Sequence, residues 1–240
     1  MGVMRTLSAA LLALLAACAT DDTTTQTTQP SAEDYNHVAS SIAATVSHDG
    51  GEVAAMREAV ALAHDQDTAG FVHTPDGAFV GTLSDLTYRY DITCAATGTS
   101  NLVPCDPATT GAAVTATWTG TTGVDAIDLT LLHDVNWQLT RMVGPIAHID
   151  GTGHVDYQTQ GFGSIASYAY DVTYHVIVDD VRAIGGSMHL TITGTHAGPS
   201  RAPYTITADL TFSPDDTADL TLDGTHHYQL ALATGQVSPK

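Results

Sequence analysis

The stretch YTITADLTF, residues 204–212, alternates apolar and polar side chains. Tyr204, Ile206, Leu210 and Phe212 fall on one side of an extended chain, because successive side chains of a β-strand point to opposite faces. The other side carries three threonines and an aspartate. One-sided alternation is typical of antiparallel sheets that bury one face and leave the other in water. We therefore predict a half-buried strand here.

The same period of two continues through most of the chain after Gly70. It assigns these further residues to the inner face: Leu86, Tyr88, Tyr90, Ile92, Val114, Ala116, Trp118, Ile127, Leu129, Leu131, Val135, Trp137, Leu139, Ile149, Val155, Tyr157, Tyr168, Tyr170, Val172, Tyr174, Val176, Met188, Leu190, Ile192, Leu220, Leu222, Tyr228 and Leu230. Residues that favour turns separate the runs. Residues 124–143 are long for one strand, so the strand either bends strongly or turns at His133-Asp134.

A flat sheet would leave this aromatic face in water. We therefore predict a mainly β domain: an antiparallel meander of about eight strands, curled into a barrel or half-barrel and packed against one or two helices. A two-sheet β-sandwich with the helices at one end is the alternative.

The helices are expected before residue 70. Ser31 followed by Asp34 resembles a capping box, and apolar residues then recur at helical spacing. Gly50 and Gly51 interrupt this helix. A second apolar stripe begins at Val53 and ends near residue 64. Each stripe covers one side of its helix, so both helices must pack on the sheet.

Glycines recur inside the predicted strands. Three fragments share an apolar residue, glycine, threonine and histidine, at residues 149–154, 192–196 and 222–226. A strand glycine permits a kink and leaves room for a neighbouring aromatic ring. We expect these glycines to serve packing.

The N-terminus carries an export signal. Arg5 precedes an apolar run of about eleven residues, which is too short to span a bilayer. The run ends in Leu15-Ala16-Ala17-Cys18, which resembles the lipobox of bacterial lipoprotein precursors. The resemblance implies cleavage before Cys18 and lipidation of Cys18, including a palmitate-type acyl chain. Ala19 follows the cysteine where aspartate would favour the inner membrane, so the resemblance implies an outer-membrane lipoprotein of the cell envelope, facing the periplasm or the cell surface.

The predicted organisation has four parts. Residues 1–17 are the signal peptide, and residues 18–30 are a lipidated cysteine with a disordered Thr-rich tether. Residues 31–70 form the helical segment and residues 71–240 the β domain, together one globular unit.

The chain has three cysteines, and lipidation of Cys18 leaves two. Cys94 and Cys105 are close in sequence, and in an oxidising compartment we expect them to form a disulfide. A reactive or metal-binding pair is the weaker interpretation, because neither a CxxC spacing nor a nearby histidine accompanies them.

The chain is acidic, with 26 Asp and Glu against seven Lys and Arg and a net charge of −19. Nucleic acid is therefore excluded as a partner, since neutralising phosphates requires clustered basic residues. Contact with a membrane is expected only through the lipid on Cys18. An apolar small molecule or another envelope protein is the expected partner.

One strand carries a candidate metal site. His148, Asp150, His154 and Asp156 share one parity and therefore one face. Zinc takes three or four ligands, so a neighbouring strand would have to add His175 or His189. The competing interpretation is that these side chains are simply solvated on the outer face.

No catalytic motif is present. The sequence contains neither a GxSxG nucleophile elbow nor a phosphate-binding loop, and it has few cations for phosphate chemistry. We expect no catalytic residues and no cofactor. The sequence therefore favours a lipid-anchored envelope protein with a noncatalytic binding or structural role. The alternative is a lipoprotein that binds zinc or another divalent metal through its His/Asp strand face, with metal-assisted hydrolysis as a remote extension.

Overall fold

The computed structural model describes residues 28–47, 51–66, 68–83, 86–95, 102–124, 127–161, 164–196 and 203–240. The predicted signal peptide, Cys18 and most of the predicted tether lie outside these residues. The predictions that concern them stay predictions.

Two helices precede the sheet, α1 at Ala32–Val46 and α2 at Glu52–Ala63. The predicted capping box is confirmed, because the Asp34 N–H donates to Ser31 Oγ and the Ser31 N–H donates to the Asp34 carboxylate at 2.7 Å. Gly51 precedes α2. A Cβ atom there would lie 2.4 Å from the Thr45 carbonyl oxygen, so only glycine allows this close approach.

Thirteen strands form one sheet, rather than about eight. They are β1 Phe71–His73, β2 Phe79–Leu83, β3 Leu86–Ala95, β4 Leu102–Val103, β5 Gly111–Val124, β6 Ile127–Val143, β7 Ile146–Gly161, β8 Ser164–Val178, β9 Ala183–His196, β10 Tyr204–Ser213, β11 Thr217–Leu222, β12 His226–Ala231 and β13 Gln236–Pro239. Every pair is antiparallel.

The topology is a meander. Twelve strands follow one another across the sheet in chain order, and the short β4 pairs with β3 beside this path. Within the described ranges β1 and β13 are not paired with each other, so the hydrogen bonding does not close the sheet. β6 runs without a break through His133-Asp134, which removes the turn that we considered there.

The predicted sorting of side chains is confirmed wherever it can be assessed. Of the predicted inner residues, all those with described side chains are buried except the half-buried Ile92. The side chains of Ile127, Leu129 and Leu131 lie outside the described set. In β10 the burial alternates strictly along the strand.

Both helices cover this inner face. α1 contacts β11, β12 and β13, whereas α2 contacts β3 and β8. β3 and β8 are four pairing steps apart, which is roughly 19 Å along a sheet with about 4.8 Å between strands. At about 18 Å, the length of the twelve-residue α2 matches this distance. The inner face is therefore covered by the protein's own helices.

The disulfide prediction is confirmed. Cys94 near the end of β3 is bonded to Cys105, which follows β4. The bond closes the connection from β3 through β4 towards β5.

Two strand glycines make room for tyrosine rings, as predicted. A Cβ atom on Gly153 would lie 2.7 Å from Tyr174 Oη, and one on Gly194 would lie 2.3 Å from the Tyr204 ring. Both contacts are closer than carbon atoms tolerate. Gly153 of β7 and Gly194 of β9 are thus required by the packing of the inner face.

We predict that Gly153→Ala destabilises the fold by about 1–3 kcal/mol, because the methyl group must displace Tyr174 or Val135 in a close-packed core. Gly185→Ala is the matched control, since the nearest atom to its added methyl lies 3.9 Å away. Urea unfolding of both variants measures the effect. Equal stability of the two variants would contradict the packing argument.

Candidate functional site

A polar cluster lies between α2 and the inner face of the sheet. It consists of Glu52 at the start of α2, His133 on β6 and Tyr174 on β8, and we call it the Glu52 cluster. The Tyr174 hydroxyl donates to Glu52 Oε1 at 3.0 Å, and His133 Nε2 lies 3.1 Å from the same hydroxyl and 3.2 Å from Glu52 Oε1. Glu52 and His133 are 1% and 0% exposed. The three groups thus form a closed triangle that joins α2 to two strands.

Packing fixes the members of this cluster. His133 shares the inward parity of Val135 and Trp137 on β6, and the His133 ring lies 3.9 Å from the ring of Trp118 on β5. The Tyr174 ring lies in the space left by Gly153 and meets Trp137 edge to face. The aromatic core therefore holds the triangle in one geometry.

Burial controls the charges in the cluster. Loss of water raises the pKa of Glu52 to about 8, although the hydrogen bond from Tyr174 opposes the shift. Burial, together with the charge of His154, holds the pKa of His133 well below its ordinary value, and burial raises that of Tyr174 well above its own. At neutral pH the contact between Glu52 and His133 is therefore one between uncharged groups rather than an ion pair.

The cluster is incompletely satisfied. Glu52 Oε2, His133 Nδ1 and the nearby Trp137 Nε1 have no hydrogen-bond partner among the described residues. Unpaired buried polar atoms cost stability, so this cluster weakens the core unless internal water reaches it. Because its side chains are almost wholly buried, a substrate cannot reach them. The arrangement positions α2 and shares protons, but it is not an accessible catalytic site.

The polar outer face carries the predicted metal ligands. Asp150, His154 and Asp156 are exposed and His148 is half-buried, all on the outward side of β7 as predicted. The structure brings His154 Nε2 within 3.5 Å of Asp156 Oδ2. Asp150 instead contacts His175 on the neighbouring strand.

Three His–Asp pairs bridge adjacent strands on this face. His154 faces Asp171, His175 faces Asp150 and His189 faces Asp209. In each pair the histidine Nδ1 lies 2.7 to 2.8 Å from a carboxylate oxygen. A carboxylate on Nδ1 fixes the orientation of the ring and leaves Nε2 as the second ligating atom.

A shallow groove of about 400 Å³ contains the His154–Asp171 pair, and we call it the outer groove. Its lining includes Asp134, His154, Asp171, Thr173 and His189, from strands β6 to β9. The hydrogen bond to Asp171 raises the pKa of His154, and nearby Asp156 adds to this effect. The outer groove is thus a polar, negatively charged concavity.

The predicted ligands do not form a complete site by themselves. Within the described residues, no three or more His, Cys, Asp or Glu side chains gather in a group that could hold a metal ion. His175 does join Asp150, as the metal hypothesis required of a neighbouring strand, but His189 pairs with Asp209 instead. The outer face therefore offers oriented pairs rather than a closed coordination shell.

Sequence reasoning missed Glu52 and left the orientation of His133 open. An acidic residue in the first turn of a helix ordinarily faces water and interacts with the helix dipole. The period of two in residues 133–139 was the available signal for an inward His133. No comparable signal marked Glu52 as buried.

Comparison with known proteins adds no family to these observations. No protein-family model matches the chain, and no similar curated protein or solved structure is found. Neither of the described helices has the length and apolar character needed to cross a membrane.

We predict that the Glu52 cluster makes stability depend on pH. Glu52 keeps its proton in the folded protein up to about pH 8, whereas the unfolded chain loses it near its ordinary pKa of 4.5. The folded state thus holds the extra proton between these values, so the free energy of unfolding falls as pH rises, by at most about 1.4 kcal/mol per pH unit, and levels off above pH 8.

Urea unfolding between about pH 7 and pH 8 measures this contribution by comparison of variants. His154, whose pKa is also raised, adds a slope of the same sign that every variant shares. Glu52→Gln should reduce the slope, while Glu33→Gln, at an exposed position of α1, should leave it unchanged. An equal slope in wild-type protein and Glu52→Gln would contradict the burial of a protonated carboxyl group.

Proposed function

We propose that this protein is a lipid-anchored, noncatalytic protein of the bacterial cell envelope that binds another envelope component through its outer groove. The lipobox-like sequence at Cys18 supports the anchor, and we place it in the outer membrane on the same ground. We assign binding to the outer face because α1 and α2 already cover the inner face.

An apolar ligand on the inner face is the less favoured version of this proposal. Such a ligand would need space beside the inner aromatic rings. Tyr88 and Tyr170 are 0% exposed, Trp137 is 1% exposed and Tyr228 is 6% exposed, so the helices already occupy that space. We infer that the curved sheet acts as a half-barrel whose interior serves stability, which leaves the convex side for recognition.

The outer groove has the chemistry for a polar partner. It presents carboxylates, imidazoles and threonine hydroxyls on long paired strands, which hold them at fixed spacing. The acidic character of the chain favours a partner with positive charge or many hydrogen-bond donors.

Crosslinking in living cells tests this proposal. A photoreactive amino acid replaces Thr173 in the outer groove of the full chain. We expect one crosslinked envelope component, because the side chain at this position points out of the groove floor. The matched control is Gln229, which is exposed on the same face but lies on β12, outside the groove.

The same experiment in a Cys18→Ala chain tests the anchor. We expect this chain to incorporate no labelled palmitate and to lose the Thr173 crosslink. Absence of any crosslink at Thr173, an equal crosslink at Gln229, or labelling that survives Cys18→Ala would each contradict the proposal.

Divalent metal binding on the outer face is the second candidate. The three His–Asp pairs favour it, since a carboxylate on Nδ1 orients each imidazole, and Nε2 of His154 lies 3.5 Å from Asp156, a further oxygen ligand. Hydrolysis assisted by such a metal would be an extension of this candidate, and no observation here favours it.

Zinc retention after dialysis distinguishes this candidate. This candidate predicts that zinc stays with the wild-type protein and is lost from the triple variant His154→Ala/His175→Ala/His189→Ala, which removes the histidine of every pair. A double variant at two other exposed histidines, His73→Ala/His227→Ala, should keep it. Wild-type protein that takes up no zinc would reject metal binding and leave the crosslinking proposal untouched.

A further inference from the structure

A second concavity lies beside α2, on the side of the helix that the sheet leaves uncovered. This cleft, which we call the α2 cleft, has a volume of about 450 Å³. Arg57, Glu58 and Ala61 contribute from α2, and the turns after β6 and β8 contribute Pro145 and Asp180. It shares no residue with the outer groove.

The α2 cleft contains an unusual carboxyl group. Glu58 is half-buried, and no described residue donates a hydrogen bond to it. Burial raises its pKa, although the neighbouring charge of Arg57 opposes the shift. A partly desolvated carboxylate without a hydrogen-bond donor favours a ligand that donates a hydrogen bond to it. This bond replaces the hydrogen bonds to water that the carboxylate lost on burial.

The other charges decide the sign of that ligand. Arg57 is held against the β8–β9 turn, where its Nε donates to the carbonyl oxygen of Asp180 at 3.0 Å. The lining of the cleft contains this one guanidinium group and three carboxylates, those of Glu58, Asp179 and Asp180. Asp179 Oδ1 already accepts from the N–H groups of Val181 and Arg182, which fixes this carboxylate in the turn. The half-buried Glu58 and the exposed Asp180 line the same cleft and are the acceptors that we assign to a ligand.

Apolar surface completes the α2 cleft. Val60 and Ala61 lie on the helix side and Pro145 on the turn side. This surface can hold a compact hydrocarbon group while the carboxylates hold a charged end. Concave sites with an apolar wall and a few converging polar groups are the usual form of small-molecule sites.

We propose that the α2 cleft binds a small organic cation, namely a primary ammonium group on a compact apolar body. The ammonium group donates to the carboxylates of Glu58 and Asp180, and the body packs on Val60, Ala61 and Pro145. A negatively charged ligand is disfavoured by the excess of carboxylates and by the charge of −19 on the whole chain.

Three probes of one shape test the proposal on the purified chain. Benzylammonium, benzyl alcohol and benzoate differ mainly in charge, and saturation-transfer NMR with titration ranks their affinities. We expect benzylammonium to bind and the other two to bind about threefold to fivefold more weakly, roughly the effect of one partly exposed charge contact. Binding of benzoate or benzyl alcohol at equal strength, or no binding of benzylammonium, would overturn the proposal.

Two substitutions assign the contact. Glu58→Gln should weaken benzylammonium binding by about threefold, whereas Glu33→Gln on α1 should not change it. Arg57→Gln should strengthen binding, because it removes the one guanidinium group among the described residues that line the α2 cleft, a result that loss of structure would not produce. Thermal unfolding confirms that each variant is folded. Unchanged binding in Glu58→Gln, or weaker binding in folded Arg57→Gln, would overturn the assignment.

Discussion

The inner face of one antiparallel sheet carries most of the aromatic rings of this protein, and it has to be kept from water. Burying a large apolar side chain contributes roughly 1.5–3 kcal/mol, and an uncovered sheet would forgo this for a whole row of them. The chain covers the face with its own helices. α2 contacts β3 and β8, which are four pairing steps apart, and α1 contacts β11, β12 and β13, so the two helices cover different parts of the face.

Tyrosine hydroxyl groups fix where the helices lie on this apolar surface, because hydrophobic contact alone has little directional preference. The Tyr90 hydroxyl of β3 donates to the Ala55 carbonyl of α2, and the Tyr228 hydroxyl of β12 donates to Asn36 of α1. In the opposite direction Tyr35 of α1 donates to Asp223. The helices are therefore held at both ends of the sheet by hydrogen bonds.

The Glu52 cluster belongs to the same arrangement, at a cost. Removing a carboxyl group from water is unfavourable, and the contact of Glu52 with His133 and Tyr174 recovers only part of the loss. It does give α2 a specific anchoring point on β6 and β8. We infer that the cluster lowers the stability of the folded state but fixes α2 in a single position on the sheet.

The sequence was sufficient for the features that depend on local periodicity. Alternation placed Trp118, Tyr174 and Ile206 inside, and helical spacing with Ser31 located α1. The strand count was too low in part because β1, β4 and β13 have three, two and four residues, too few to show a period.

Features that depend on register or on distant contacts could not be predicted from local pattern. Parity placed His148 and Asp150 on the outer face. However, the pairing of Asp150 with His175 depends on how β7 aligns with β8, which no single strand encodes. The burial of Glu52 likewise depends on residues about eighty and 120 positions later in the chain.

Tryptophan fluorescence tests the central claim most directly, because the chain has two tryptophans, Trp118 and Trp137, and both lie on the covered face at 1% exposure. If the helices cover the inner face of the sheet, the native protein will show blue-shifted emission and almost no quenching by acrylamide until it is unfolded. Native emission at the wavelength of free tryptophan, with full quenching by acrylamide, would show that the aromatic face is open to water.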